Sequence, residues 1–210
     1  MTIHPFLDTL EKEFRGVISH GGHEPGPYGC VFEIAHMACH DSWNDCSSPW
    51  PDFRKLNDAK WSSDKQRTMA LCPLIIAYWD WPTWGGKPGK QGKIVARLLL
   101  LMGREILPYL PELFEDDRSL CRGVTTLTEL YEIVLRIHKC HPGNWPISDM
   151  YETINLHIEH RYRENGIMAI CARIVNVMSF CMPDRTWEDL AARDIFLHHA
   201  CHIWIQAAKE

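Results

Sequence analysis

The sequence predicts an all-α fold, a single domain of about seven to eight helices in an orthogonal or bundle-like arrangement. In most segments of the 210-residue chain, apolar side chains recur three and four positions apart, which is the pattern of amphipathic helices. No segment shows sustained alternation of apolar and polar residues, so we expect few or no strands. The apolar fraction of 46% and the charged fraction of 23% are typical of a globular domain.

The first half of the chain predicts helices separated by segments rich in glycine, proline, serine and asparagine. In the first helix Phe6, Leu10 and Phe14 share one face, and Pro5 suits a first turn. Ser62 or Ser63 is the expected N-cap of the fourth helix, which Pro73 either bends or divides. The main predicted helices of this half cover about residues 5–19, 30–40 and 63–78, and a short helical segment could cover about 53–59.

Residues 80–92 hold two prolines and four glycines among tryptophan and lysine side chains. This composition predicts a surface loop and marks the clearest possible subdivision of residues 1–210, which we otherwise expect to form one domain. Further helices are predicted after the loop, at about residues 93–107, 126–140, 148–164, 166–181 and 186–208.

Charge and composition exclude several classes of protein. A net charge of -5, from 27 acidic and 22 basic residues, argues against a nucleic-acid-binding function. The most apolar stretch, 94–102, contains Arg97 and is far too short to span a membrane. No secretory signal is visible at the start, so we expect a cytoplasmic protein without a membrane association. Its nine cysteines include no Cys-x-x-Cys pair and are expected to be free and mostly buried.

The second predicted helix carries the densest set of reactive side chains. Glu33, His36 and His40 are spaced so that they can share one helix face. A carboxylate and two imidazoles could bind a divalent metal, or act as acid and base together with Asp45. Chance spacing among 12 histidines is the alternative explanation, and no cofactor is predicted beyond this possible metal.

Several short elements in this region resemble a group of small bacterial and phage proteins that has no established activity. The group has Cys-Val-Met-Glu, Ser-Asp-x-Pro and Leu-Asn-Asp elements, followed by a helix with a Leu-x-x-Leu-Ile-Pro-like sequence. The resemblance covers about residues 22–80, and the matching elements are Gly29-Cys30-Val31-Phe32-Glu33, Trp43-Asn44-Asp45, Arg54-Lys55-Leu56-Asn57-Asp58, and Arg67 to Ile75.

The resemblance implies that Cys30, Glu33, Asp45 and Asn57-Asp58 belong to the common pattern. The group has small residues at the positions of His36 and His40, which argues against a histidine metal site. The stretch between Asp45 and Leu56 is shorter here, and the group's Cys-x-Cys-Pro element is missing.

Glu33 lies among apolar neighbours, and burying its carboxylate without a partner would be costly. It either faces solvent or is buried with partners such as Arg54, Asn57 or Arg67. A buried Glu33 could be an acid or base, but we favour a structural anchor, because buried ion pairs are often architectural.

Trp81 and Trp84, with Lys87 and Lys90, form a second candidate site in the predicted loop. Exposed indoles could stack on a partner or a ligand, with a lysine near a phosphate. The favoured alternative is that both indoles fold back over the core, because large exposed aromatic side chains are unusual.

Two pairs of histidines in the C-terminal helices, His157/His160 and His198/His202, are weaker metal candidates, since neither has the Glu-x-x-His order of helical bundle sites. The leading hypothesis is therefore a non-catalytic interaction or ligand-binding protein, whose partner is an unknown protein or small ligand. The alternative is a metal-dependent or acid–base enzyme using Glu33, Asp45 and histidines. A nucleotide binder acting through the Trp/Lys loop is a third and weaker hypothesis.

Overall fold

The computed structural model describes residues 3–20, 26–40, 50–84, 89–159 and 163–209. Within these ranges the chain is helical and has no strand, only an isolated bridge between Ile18 and Gly29. The all-α prediction is confirmed, with more helices than the seven to eight expected. The helices are α1 Pro5–Phe14, α2 Val31–His40, α3 Arg54–Asn57, α4 Asp64–Ala77, α5 Trp81–Trp84, α6 Lys90–Leu101, α7 Glu115–Gly123, α8 Leu127–Cys140, α9 Trp145–Ile158, α10 Glu164–Cys181 and α11 Trp187–Ala208.

The first helix ends earlier than the predicted residue 19. Arg15 adopts a left-handed backbone conformation with φ of 57°, and Gly16 follows with φ of 70°. A left-handed residue cannot continue a right-handed helix, so α1 stops at Phe14. The apolar side chain of Ile18, which continues the helical spacing, is instead buried beside the bridge to Gly29.

Side-chain caps set the starts of several helices. Ser63, one of the two expected caps, accepts a hydrogen bond from the backbone of Gln66 and begins α4. Pro73 lies inside α4 without dividing it. Thr126 with Glu129 and Thr186 with Asp189 form reciprocal capping boxes that begin α8 and α11.

The middle of the chain differs most from the sequence prediction. After α6, the backbone widens into a π-helical turn, Met102–Ile106, and then tightens into a 3₁₀ turn, Leu107–Tyr109. Gly103 lets the side chain of Leu130 in α8 approach the backbone of the π-helical turn closely. The short helix α7 follows, which hydrophobic periodicity did not indicate because Cys121 is its only buried residue.

The core extends across both halves of the chain. The long helix α11 packs against α4 and α6, while α10 packs against α3 and α9. Tyr78, at the end of α4, donates a hydrogen bond of 2.9 Å to the carbonyl oxygen of Trp204 in α11, and both residues are buried. These contacts bury a large aromatic cluster between the N-terminal and C-terminal helices.

Candidate functional site

Glu33 is fully buried at the start of α2. Its Oε2 accepts a hydrogen bond of 2.5 Å from the backbone amide of Cys30, the residue immediately before the helix. A glutamate at the third helical position often accepts from the N-cap amide in this way, satisfying a donor that has no partner within the helix. The contact favours the interpretation of Glu33 as a structural anchor.

A buried polar network surrounds the start of α2. The Oδ1 of Asn57 accepts from the amide of Val31 at 3.3 Å, and its Nδ2 donates to the carbonyl of Ser19 at 3.1 Å. Arg67 donates through Nε to the carbonyl oxygen of Asn57 at 2.9 Å. Arg54, another suggested partner of Glu33, instead forms an exposed ion pair with Asp52 at 2.6 Å. The network therefore fixes the relative positions of α2, α3 and α4.

The candidate metal ligands are only partly brought together. The rings of His36 and His40 lie 4.5 Å apart in the more exposed C-terminal half of α2, whereas Glu33 is buried in the core. Within the residues described, no group of three or more histidine, cysteine or acidic side chains could hold a metal ion. Asp45 lies outside the described ranges, so its convergence with Glu33 stays a prediction.

The described members of the two C-terminal histidine pairs do not belong to any group of side chains that could hold a metal ion. His198 Nε2 is 2.9 Å from Oε1 of Gln66, and burial lowers the pKa of this imidazole. His202 Nε2 lies 3.1 Å from the side-chain nitrogen Nε2 of Gln206, one turn along α11. His157 is half-buried on α9, and His160 is outside the described residues.

The described part of residues 80–92 is largely helical and not the exposed loop that composition predicted. Trp81 and Trp84 form the short helix α5, and Lys90 begins α6. Trp81 is 1% exposed and donates through Nε1 to Oδ1 of Asn165 at 2.8 Å. The prediction that Trp81 is exposed for binding is therefore wrong, because the core aromatic cluster around Tyr78 encloses the indole.

Trp84 is half-buried, with its ring 5.7 Å from that of Trp81. Lys90 Nζ lies 4.2 Å from the Trp84 ring centroid, a cation–π contact that covers the indole. Lys87 lies outside the described residues. The second alternative, in which both indoles fold towards the core, describes the two tryptophans better.

The described surface has an open cleft of about 590 Å³ that sequence reasoning did not anticipate. Three guanidinium groups face it, from the π-helical turn and from successive turns of α7. One carboxylate, Glu105, also lines it and lies 3.3 Å from His199 Nε2. We call this the basic cleft; its lining residues are Arg104, Glu105, Pro108, Tyr109, Arg118, Arg122 and His199.

The arginines of the basic cleft are held to different degrees. Arg118 donates to the carbonyl oxygens of Leu110 and Pro111 at 3.1 and 3.3 Å, which fixes its guanidinium. Arg122 donates to Glu115 at 2.8 Å and is otherwise exposed. Arg104 is exposed and makes no ion pair or hydrogen bond with any residue in the described ranges.

An apolar pocket of about 340 Å³ lies beside the basic cleft. Methionine, proline and aromatic side chains form most of its surface, and Cys181 lies exposed at its edge. Its lining residues are Tyr109, Leu110, Pro111, Glu112, Asn144, Pro146, Met178, Cys181, Met182, Pro183 and Phe196.

Tyr109 lines both cavities and is 52% exposed. Its ring centroid lies 5.4 Å from Phe196, in the apolar pocket, and 6.4 Å from His199, in the basic cleft. Phe196 and His199 are one turn apart on α11, so the pocket and the cleft are adjacent.

The sequence contained one signal for the basic cleft. Glu115, Asp116 and Asp117, followed by Arg118 and Arg122, place acidic residues in a first turn and a basic residue in a last turn, which favours a helix. The four-residue spacing of the arginines puts both on one face. The neighbourhood of Arg104 and His199 depends on packing between distant segments and has no local signal.

No protein-family model, curated protein or solved structure shows significant similarity to the chain. The resemblance over residues 22–80 accordingly stays an expectation from short elements. Among the described residues, no helix has both the length and the hydropathy needed to cross a membrane.

Proposed function

We propose that this protein is a non-catalytic binding protein whose ligand is a small molecule with an apolar body, held in the apolar pocket. The observation that carries the proposal is the pocket itself: about 340 Å³ of concave, mostly nonpolar surface. Small-molecule sites in proteins are concave, of roughly 300–1,000 Å³, and combine apolar walls with a few polar groups.

The polar groups of the pocket are few. Asn144 caps α9 by accepting from the amide of Ile147 at 3.3 Å, and its side chain also lines the pocket. Glu112 is exposed and also lines the pocket. Such a surface favours a ligand bound mainly by burial of apolar area, at about 25 cal/mol per Å² removed from water.

The proposal keeps the binding hypothesis from the sequence and moves its site. Trp81 is buried and Trp84 is covered by Lys90, so the pocket between α10, α11 and the 3₁₀ turn offers more accessible apolar surface. A cytoplasmic location remains part of the proposal, supported by a composition rich in free thiols.

The test is a fluorescence titration with N-phenyl-1-naphthylamine, a neutral apolar probe that emits strongly only when it is removed from water. The Cys181→Trp variant fills the edge of the pocket from an exposed position, and Cys39→Trp is the control, because Cys39 is exposed on α2. We expect saturable binding to the native protein, binding at least ten-fold weaker in Cys181→Trp and unchanged binding in Cys39→Trp. Absence of binding, or equal binding by both variants, would overturn the proposal.

A further inference from the structure

We infer that the ligand is an anionic amphiphile, whose charged head group binds in the basic cleft while its apolar body occupies the apolar pocket. The inference rests on the proposed function, because it assigns a chemistry to the part of the ligand that extends past Tyr109. Its basis is the continuity of two cavities of opposite character across one exposed side chain.

The charges around the basic cleft favour an anion. Among the described lining residues there are three arginines and one carboxylate, and that carboxylate, Glu105, lies 3.3 Å from an imidazole nitrogen of His199. Glu115, outside the lining, pairs with Arg122 at 2.8 Å and approaches Arg118 at 3.8 Å. A guanidinium has five N–H donors, so these pairs leave donors available, and no residue in the described ranges takes up a donor of Arg104.

The geometry suits a group with two or three oxygens. Arg118 and Arg122 are one turn apart on α7, and Arg104 approaches from the π-helical turn, so the guanidinium groups come from two elements. Planar guanidiniums bind carboxylate and phosphate oxygens in pairs of parallel hydrogen bonds. π-helical turns are rare in proteins, and those that occur often lie at functional sites. This agrees with a role for Met102–Ile106 in positioning Arg104.

The route between head group and body is short. Phe196, in the pocket, and His199, in the cleft, are separated by three positions on α11, or about 5 Å along the helix axis. A ligand with a chain or ring system in the pocket therefore reaches the cleft within a few bonds. Among the described residues, Tyr109 is the side chain that both cavities share, and its exposed ring can pack along the body of the ligand.

The experiment measures displacement of N-phenyl-1-naphthylamine by decanoate, decyl phosphate and decanol, with the two anions below their critical micelle concentrations and decanol below its solubility limit. The three compounds share one apolar body and differ in the head group. We expect both anions to bind at least ten-fold tighter than decanol, and the tighter of the two identifies carboxylate or phosphate as the preferred head group. The preference should shrink as salt concentration rises.

The variant Arg104→Gln/Arg122→Gln removes two of the guanidiniums, and Lys12→Gln/Lys55→Gln removes the same charge from exposed positions on α1 and α3. We expect the arginine variant to lose the preference for anions while decanol binds as before, and the lysine variant to keep it. Equal affinity of the native protein for decanol and both anions would overturn the inference while probe binding upholds the pocket. A preference retained in the arginine variant would also overturn it. Absence of probe binding would instead overturn the proposed function.

Discussion

The ring of Tyr109 lies 5.4 Å from the ring of Phe196, at the boundary between the basic cleft and the apolar pocket. Tyr109 is held in place by the 3₁₀ turn Leu107–Tyr109, in which Pro108 is buried. An exposed aromatic side chain with a fixed backbone provides contact area at a small cost in conformational entropy.

We expect Tyr109→Ala to weaken binding of N-phenyl-1-naphthylamine about ten-fold, the loss of roughly 1.4 kcal/mol of apolar contact. Tyr109→Phe keeps the ring and should bind as the native protein does. Because half of Tyr109 is exposed, neither change should lower the free energy of unfolding by more than about 1 kcal/mol. Fluorescence titration and urea unfolding measure the two quantities, and equal binding by the alanine and phenylalanine variants would exclude this role for the ring.

Glu33 gives a prediction that separates an anchor from an acid or base. In Glu33→Ala, the buried amide of Cys30 loses its acceptor, and we expect the free energy of unfolding to fall by about 2–4 kcal/mol. Glu33→Gln keeps an acceptor oxygen in the same place and should lose about half as much or less. Urea unfolding of the two variants measures the difference.

A matched control for Glu33 is Glu129, which accepts from the backbone amides of Thr125 and Thr126 at the exposed start of α8. Water can replace its carboxylate, so Glu129→Ala should lower the free energy of unfolding clearly less than Glu33→Ala does. If Glu33→Ala proved as stable as the native protein, the anchor interpretation would fail and a chemical role for the carboxylate would gain support.

Local patterns in the sequence predicted most of the helices but not the candidate site. Ser63, Thr126 and Thr186 are capping residues next to segments rich in helix-forming side chains, so the starts of their helices could be predicted from short-range chemistry. The end of α1 could not be predicted in this way, because the left-handed conformation falls on Arg15, a residue type that rarely adopts it.

The candidate site escaped prediction for a different reason. Arg104, Arg118 and His199 come from three segments, and hydrophobic periodicity carries no information on which polar faces meet. Conversely, the tryptophans drew attention through composition, whereas Trp81 has a partner for its N–H group in Asn165, 84 positions away. Only the folded chain could show that this indole was already satisfied.

Two glycines predict opposite effects of the same substitution. A methyl group added to Gly29 would lie 2.5 Å from Cε1 of the buried Phe14 ring, so Gly29→Ala should lower the free energy of unfolding by about 1–3 kcal/mol. Gly92 lies within α6 with no described atom within 4 Å of such a methyl group. Because alanine favours helices over glycine by about 1 kcal/mol, Gly92→Ala should raise stability by up to that amount. Thermal or urea unfolding of both variants tests the packing of Gly29 against α1, and a neutral Gly29→Ala would contradict it.

The buried thiols predict loss of stability in alkaline solution. Burial raises the pKa of Cys171 and of Cys201 from 9.0 to about 12. Above pH 9 the unfolded chain releases these protons while the folded chain keeps them. The contribution of the two thiols to the free energy of unfolding is therefore fully present below pH 9 and is lost as pH rises towards 12. Each thiol lowers the free energy of unfolding by up to about 1.4 kcal/mol per pH unit in this range.

The Cys171→Ala/Cys201→Ala variant should be less stable than the native protein at neutral pH, because it loses buried volume. Its stability should nevertheless fall less steeply between pH 9 and 11, which a packing defect alone would not produce. Burial also raises the pKa of Tyr78, which leaves a residual slope in both proteins. Urea unfolding at half-unit intervals of pH measures the two slopes. Equal slopes would mean that these thiols ionise as readily in the folded chain as in the unfolded one, contrary to their burial in the core.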